Sequence, residues 1–492
     1  MARFLHGAEV IEVNDGVRSI STVKMAVIGI AVQSAMAAGA VAATLTLGSS
    51  ALGDDLTFTA KTACQDGNKI NITIAETTEV NQDIAVAVAG DAITITLGTD
   101  AQGDTNSKVT DVVTAYEAVP EAMAKALIST STEAAKAEIP SAINKQFLAS
   151  GANEPFPLYK PTLVLGNERY AEGLGVTSQA YKYIKQIMEQ YGAVVVVVRA
   201  ETSADEATQK SNIIKAIDAL KDSKSEVGYT PRIPIAPGYS HDDAVGKALE
   251  SAAVKLRGVT YLDMDVAATF TDAMKRVKSY NDRVEIMWPQ DVVFDTDLNT
   301  NVAMPKSVSA AGLRVRIDEE RGVHVSKSNK DIYNVVATNQ QVEFSLNDAS
   351  TLANILNENR VSTTIREGGF RHWGNRTCAI DQKWTFETTR RVADMINDSI
   401  ERAHMWAVDE PGTTQYMQDV LGGINAYLRQ LKNEGVIPGA RAWLDKELNT
   451  PELMAQGIYY FDFDFGVYYP AEHLIFRSRL NNGYLEEVIA NV

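Results

Sequence analysis

The sequence predicts a multidomain chain in which an α/β domain is joined to an α+β domain and interrupted near its start by a β-rich insert. Three observations predict this. Continuous apolar runs such as AVVVVV (residues 193–198) alternate with amphipathic helical stretches, the mark of strands covered on both faces. A block of short runs (TLTLG, LTFTA, INITI, IAVAV, AITITL) alternates apolar with Thr or small residues and is punctuated by Gly, Asp and Asn. The last third carries two long helical faces and then a tail of period two. With 492 residues, 45% apolar and 22% charged, the chain is long enough for several separate cores.

The elements follow in order. Residues 1–22 hold the apolar, strand-like AEVIEV and a turn at Asn14-Asp15-Gly16. Such a segment cannot bury itself alone, so it either joins the chain's own sheet or adds to a neighbour's edge. MAVIGIAV (25–32) reads as a fully buried strand. The span 25–43 is almost uncharged, but Gln33 and Ser34 break it and Ala and Gly dominate its second half, which argues against a membrane span or a secretory signal. Residues 36–150 are read as the insert: short antiparallel strands with one wet face, then a helical return through VVTAYEAVPEAMAKALI that Pro120 kinks or splits. Residues 23–35 and 151–347 form the α/β domain, with strands near 163–165, 193–199, 232–236 and 258–263 and helices at 212–221 and 241–256; this alternation implies parallel strands with crossover helices.

From 348 to 472 the reading is α+β. Val392, Met395, Ile396, Ile400 and Ala403 share one helical face, as do Met417, Val420, Leu421, Ile424, Tyr427, Leu428 and Leu431, and Gly435 stands where a helix stop belongs. The segment 458–480 alternates with period two and is read as strand, broken at Pro470. The dense run EGGFRHWGNRTCAIDQKWTFETTRR (367–391) is read as a wedge whose core is Phe370, Trp373, Trp384 and Phe386.

Charge and composition exclude several functions. A net charge of -17 and a pI near 4.9 disfavour nucleic acid and anionic membrane surfaces as direct partners. Cys64 and Cys378 are far apart and neither has a partner at metal spacing, which fits a reducing cytoplasm. No cofactor, metal or catalytic set is predicted. His241 and His324 are the only histidines of the α/β domain, Ser240, His241 and Asp242 are adjacent rather than convergent, and no GxSxG elbow exists. The Arg371-His372, Arg376-Thr377-Cys378 and Asp381 cluster offers an anion or thiol site, but arginines pairing with Asp381 and Glu387 are the favoured reading. Asp462 and Asp464 face one side of a strand, as a cation site or, preferably, an arginine-paired or solvated face. PRIPIAPGYSHDD ends a strand where α/β ligands bind, yet lacks the glycine spacing of a phosphate cradle.

The ordered motifs FLHGAEVIEVNDGVRSI (4–20), MAVIGIA (25–31), FPLYKPTLVLGN (156–167), PRIPIAPG (231–238), PKSVSAAGLRVRIDEERGVHVSKSN (305–329), GGFRHWGNRT (368–377) and FDFDFGVYYPAEHLIF (461–476) together resemble the contractile tail sheath proteins of myophages and tailocins, particularly the P2-like branch. The resemblance spans nearly the whole chain except the insert. It implies a structural subunit, not an enzyme, that polymerises as stacked rings in a helical lattice around a tail tube and contracts to drive the tube through a bacterial envelope. It implies a subtilisin-like middle domain, and terminal arms at 1–22 and 473–492 that complete a sheet in neighbouring subunits, through Phe4, Val10, Ile11 and Val13 at one end and Leu474, Ile475, Phe476, Leu480 and Leu485 at the other; pairing within the subunit is the alternative. It implies a basic helix facing the tube, with Arg429 and Lys432 first and the Arg390, Arg391, Arg402 face second, against an ordinary solvated face. Partners would be further copies of the chain, the tube, the baseplate and the tail terminator, in a virion assembled in the host cytoplasm. The insert should face outward. A soluble α/β hydrolase-like enzyme or binding protein is the alternative function.

Overall fold

The computed structural model describes residues 19–49, 54–130 and 140–484. They divide into two compact units, one made of residues 34–162 with 169–181, the other of the residues up to 33, 163–168 and those from 182 onward.

The larger unit is built on parallel strands. Val27–Gln33 lies at the centre of its first sheet, pairing in parallel with Val194–Ala200 (Val27 opposite Val194) on one side and Ile233–Ile235 on the other, and Thr162–Leu165 completes the order. The central Val27–Gln33 and its two neighbours are largely apolar because both faces are covered, and the helix Glu206–Ala219 packs against Val27–Gln33 and Val194–Ala200. Gly29 is required there: a Cβ would lie 2.7 Å from the Pro231 side chain. A second sheet runs Thr260–Asp263, Val284–Met287, Val361–Arg366, Phe370–Trp373, Lys330–Asp331, with the first three parallel and the others antiparallel. Val259 N donates to Arg232 O at 3.0 Å and Thr260 Oγ1 to Pro234 O at 2.7 Å, which stitches the two sheets together.

The strand Val361–Arg366, reached through the helix Leu352–Glu358, is part of this second sheet. A domain boundary at 348 therefore cuts through the sheet. The sequence hid this because VSTTIR is buried yet polar in composition, Ser362 donating to Glu285 and Thr364 to Asp291 in the interior.

The helices Glu387–Ala403 and Thr414–Asn433 form the next layer. Val392, Ile396, Ile424, Tyr427, Leu428 and Leu431 enclose a core that also takes in Ile20, Val23 and Met25. Thr413 caps the second helix, its hydroxyl accepting from Tyr416 N (3.1 Å), and Gly435 ends it at φ +76°. Ala440–Leu444 pairs antiparallel with Phe461–Phe465, whose Phe461, Phe463 and Phe465 lean on that core. Of the predicted terminal strand only these five residues form one; 466–481 have no regular structure.

All five alternating runs of the smaller unit are strands: Thr44–Leu47, Leu56–Ala60, Asn71–Ala75, Ala85–Ala89 and Ala92–Thr96. The sheets are not wholly antiparallel, since Asn71–Ala75 runs parallel to Ala92–Thr96. Pro120 starts a second short helix, Pro120–Lys125, and the continuation Ala126–Ser129 is a strand beside Leu56–Ala60 rather than more helix. Tertiary pairing overrides the helical periodicity there.

Candidate functional site: the signature segment and the C-terminal tail

The 367–391 run does not form an aromatic core. Phe370, Trp373, Trp384 and Phe386 are each only half-buried; Trp373 meets Phe344 edge-on at 4.9 Å, and Trp384 lies under the Arg390 guanidinium. What is buried behind them is charge. Lys327 Nζ sits 2.5 Å from Glu285 Oε2 and 2.5 Å from Glu387 Oε2, with Tyr261 Oη donating to Glu387 Oε1 at 2.5 Å. Asp318 takes Arg314 at 2.8 Å and Arg391 at 2.5 Å, and Arg391 also donates to Met25 O at 3.1 Å. Three cations thus meet three carboxylates, their side chains all excluded from water.

The electrostatics follow from that enclosure. Burial pushes the Glu285 carboxyl up, whereas at Glu387 burial is overcome by Lys327, Arg314 and Arg391, which hold it well below the usual range. His372, with Nε2 3.6 Å from Glu285, is kept neutral by burial and by the charges of Lys306 and Lys327. Burial likewise pushes the Cys378 thiol up, so it is no activated nucleophile. Ser240 and Ser307 donate to the buried Asp263 (3.0 and 2.5 Å), and Asp242 caps the helix Asp243–Lys255. The PRIPIAPGYSHDD loop is spent on these structural bonds. Glu285 was missed from sequence, although a carboxylate inside the apolar strand Val284–Met287 is the signal that finds it.

The tube-facing candidates separate sharply. Arg391 is interior, which removes it as a surface contact in this conformation. Arg390 is committed to Asp282 (3.3 Å) and Asp394 (3.1 Å), and Arg402 is partly exposed beside Asp398 (3.8 Å) and Thr230. That side of Glu387–Ala403 is an ionic seam to the sheet: Arg283 holds Asp394 through two bonds (2.6 and 2.9 Å), and Arg232 and Arg257 both hold Asp398. Arg429 and Lys432 stand exposed on Thr414–Asn433. Asp464 accepts from Arg441 at 3.1 Å, the arginine-paired arrangement.

The tail is the opposite case. Leu474, Ile475, Phe476 and Leu480 are 64%, 73%, 88% and 95% exposed, with Tyr484 at 67%. Phe4, Val10, Ile11, Val13 and Leu485 lie outside the described residues. Residues 20–25 are tied down: Val23 N donates to Ser399 Oγ (3.0 Å) and Thr22 meets Tyr427 Oη (3.3 Å). Among the described residues no group of acidic, histidine or cysteine side chains is arranged to hold a metal ion, and no helix is long and apolar enough to cross a membrane.

A family model described as phage tail sheath C-terminal domain matches residues 380–481, beginning just after the second sheet ends at Trp373. The chain is 34% identical over 355 residues to the tail sheath protein of Escherichia phage P2, covering 69% of this chain and 89% of that protein. It is 31% identical over 350 residues to the major tail sheath protein of Serratia phage KSP20, covering 68% and 88%. The fold is shared with the sheath complex of an extracellular contractile injection system, PVC, in its contracted state (TM-score 0.52, 16% identity, 68% of this chain and 90% of that one). From the P2 relationship, which runs through nearly all of that protein, the chain belongs to the family of phage tail sheath proteins.

Proposed function

We propose that copies of this chain polymerise as stacked rings in a helical lattice around a tail tube, and that contraction of the lattice drives the tube through a bacterial envelope. The carrying observation is the exposed apolar tail. Four large apolar side chains within seven residues, none packed in the subunit, have no stable place in water and fit a strand donated to a second copy. Backbone hydrogen bonds of such a joint are directional yet tolerant of sequence, so it persists while subunits move as bodies. Among the described residues the short sheet Ala440–Leu444/Phe461–Phe465 pairs with no third strand, which leaves an edge to receive it. The residues before 19 are the matching N-terminal arm in this reading.

The family is structural rather than enzymatic, and the hydrolase-like alternative is not favoured. The parallel sheet with its crossover helices serves as the subtilisin-like domain in this reading, and the insert as an outward-facing domain. Arg429 and Lys432 are the tube-facing pair, meeting acidic groups by contacts that are individually weak and therefore releasable. Baseplate and terminator proteins close the lattice at its ends, and assembly takes place in the host cytoplasm before the sheath joins the virion. Negative-stain microscopy of the purified chain tests the central statement. Tubes or rings are expected, and a persistently small particle contradicts it.

A further inference from the structure

The tail does not leave the subunit loosely. At its root the Glu472 carboxylate accepts two bonds from Arg376 Nε, 3.1 Å to each oxygen, and a third from Nη2 at 2.5 Å. Arg376 is itself bridged through its backbone to Phe386, and its guanidinium lies 5.8 Å above the Phe386 ring. Tyr469 packs on the same ring at 6.0 Å. Two residues of the signature segment therefore grip two tail residues on either side of Pro470, whose ring fixes φ between them. From Ala471 onward every described residue is exposed.

A planar, multiply bonded guanidinium–carboxylate contact fixes direction as well as distance. We propose that Arg376 and Phe386 form a positioning clamp that sets the direction in which the tail departs, so that a second copy of this chain meets it already oriented. This rests on the strand-donation reading. Orientation before encounter lowers the ordering cost of each joint, and every copy in a lattice repeats that gain. It assigns the conspicuous RTCAIDQKWTF stretch a task that neither the buried charges nor the helical core performs.

The test compares Glu472→Gln, Arg376→Lys and the reversed pair Arg376→Glu with Glu472→Arg in the full chain, beside a chain lacking 473–492. Assembly threshold is read by light scattering with negative-stain images, and folding by the thermal transition of the unassembled subunit. The single variants should raise the threshold roughly fivefold, the reach of one partly exposed ion pair per joint, with the transition unchanged; the reversed pair should recover most of it. Single variants assembling at the unaltered threshold, while the shortened chain fails to assemble, overturn the clamp and leave strand donation standing. A lowered transition in Glu472→Gln also overturns it, because the contact would then be part of the fold. Normal assembly of the shortened chain overturns strand donation and the clamp together.

Discussion

The charged interior around Lys327 and the tail beyond Glu472 are opposite solutions to the same accounting of polar and apolar surface. In the interior, Glu285, Glu387, Asp318, Arg314, Arg391 and Lys327 have been taken out of water and answer one another within a single subunit. In the tail, Leu474, Ile475, Phe476 and Leu480 have been left in water with nothing to answer them. The difference teaches where rigidity and connection reside. Buried ions tolerate no loosening, because breaking one pair strands a charge, so the sheet and the helix Glu387–Ala403 are held as one body. An extended apolar segment contributes nothing to that body and everything to a joint with another.

The largest effect that can break this comparison is Lys327→Ala. It takes away the cation shared by Glu285 and Glu387, leaving Glu387 only the more distant Arg314 and Arg391, and about 3–5 kcal/mol of stability should be lost in chemical denaturation. A loss below about 1 kcal/mol would mean that water reaches the cluster.

Next in size is the response to pH. His372 has its folded pKa well below the unfolded value of 6.5, so its neutral form contributes stability that is complete above 6.5 and is lost as pH falls below it, because the unfolded chain then binds the extra proton. The slope should approach about 1.4 kcal/mol per pH unit for this one group. Glu285 works in the other sense: its raised carboxyl contributes stability below the unfolded value of 4.5 that is lost as pH rises through the folded one. Denaturation curves for His372→Gln should therefore be flatter between pH 6.5 and 5 than those of the unaltered chain. An identical slope would show that the imidazole is hydrated.

The smallest expected change in stability sharpens the other half. Phe476→Asp alters a side chain that is 88% exposed, so the subunit should unfold within about 0.5 kcal/mol of the unaltered chain while assembly is lost. A marked fall in subunit stability would place Phe476 inside its own subunit's fold.

How much was legible in the sequence divides along the same line. MAVIGIAV and AVVVVV announced buried parallel strands, and the Val392 and Ile424 faces, with Gly435 behind them, announced two helices, because apolar period and turn chemistry are local. The charged interior was not legible in this way. Lys327 meets Glu285 across 42 residues and Glu387 across 60, and in sequence each looks like an ordinary solvated charge. The same blindness put Arg391 among the tube-facing residues and gave the aromatic residues of 367–391 a core they only flank. Pairing direction was equally hidden, since nothing in INITI or AITIT distinguishes a parallel neighbour from an antiparallel one. The tail's apolar pattern was visible, but strand was read where only Phe461–Phe465 finds a partner within the subunit.

The central claim is that connection lies in the tail and rigidity in the body, and removing 473–492 tests it most directly. Negative-stain images and the thermal transition of the shortened chain, taken beside those of the full chain, should show no tubes or rings and an unchanged transition. Tubes formed by the shortened chain, or a subunit that no longer folds, would contradict it.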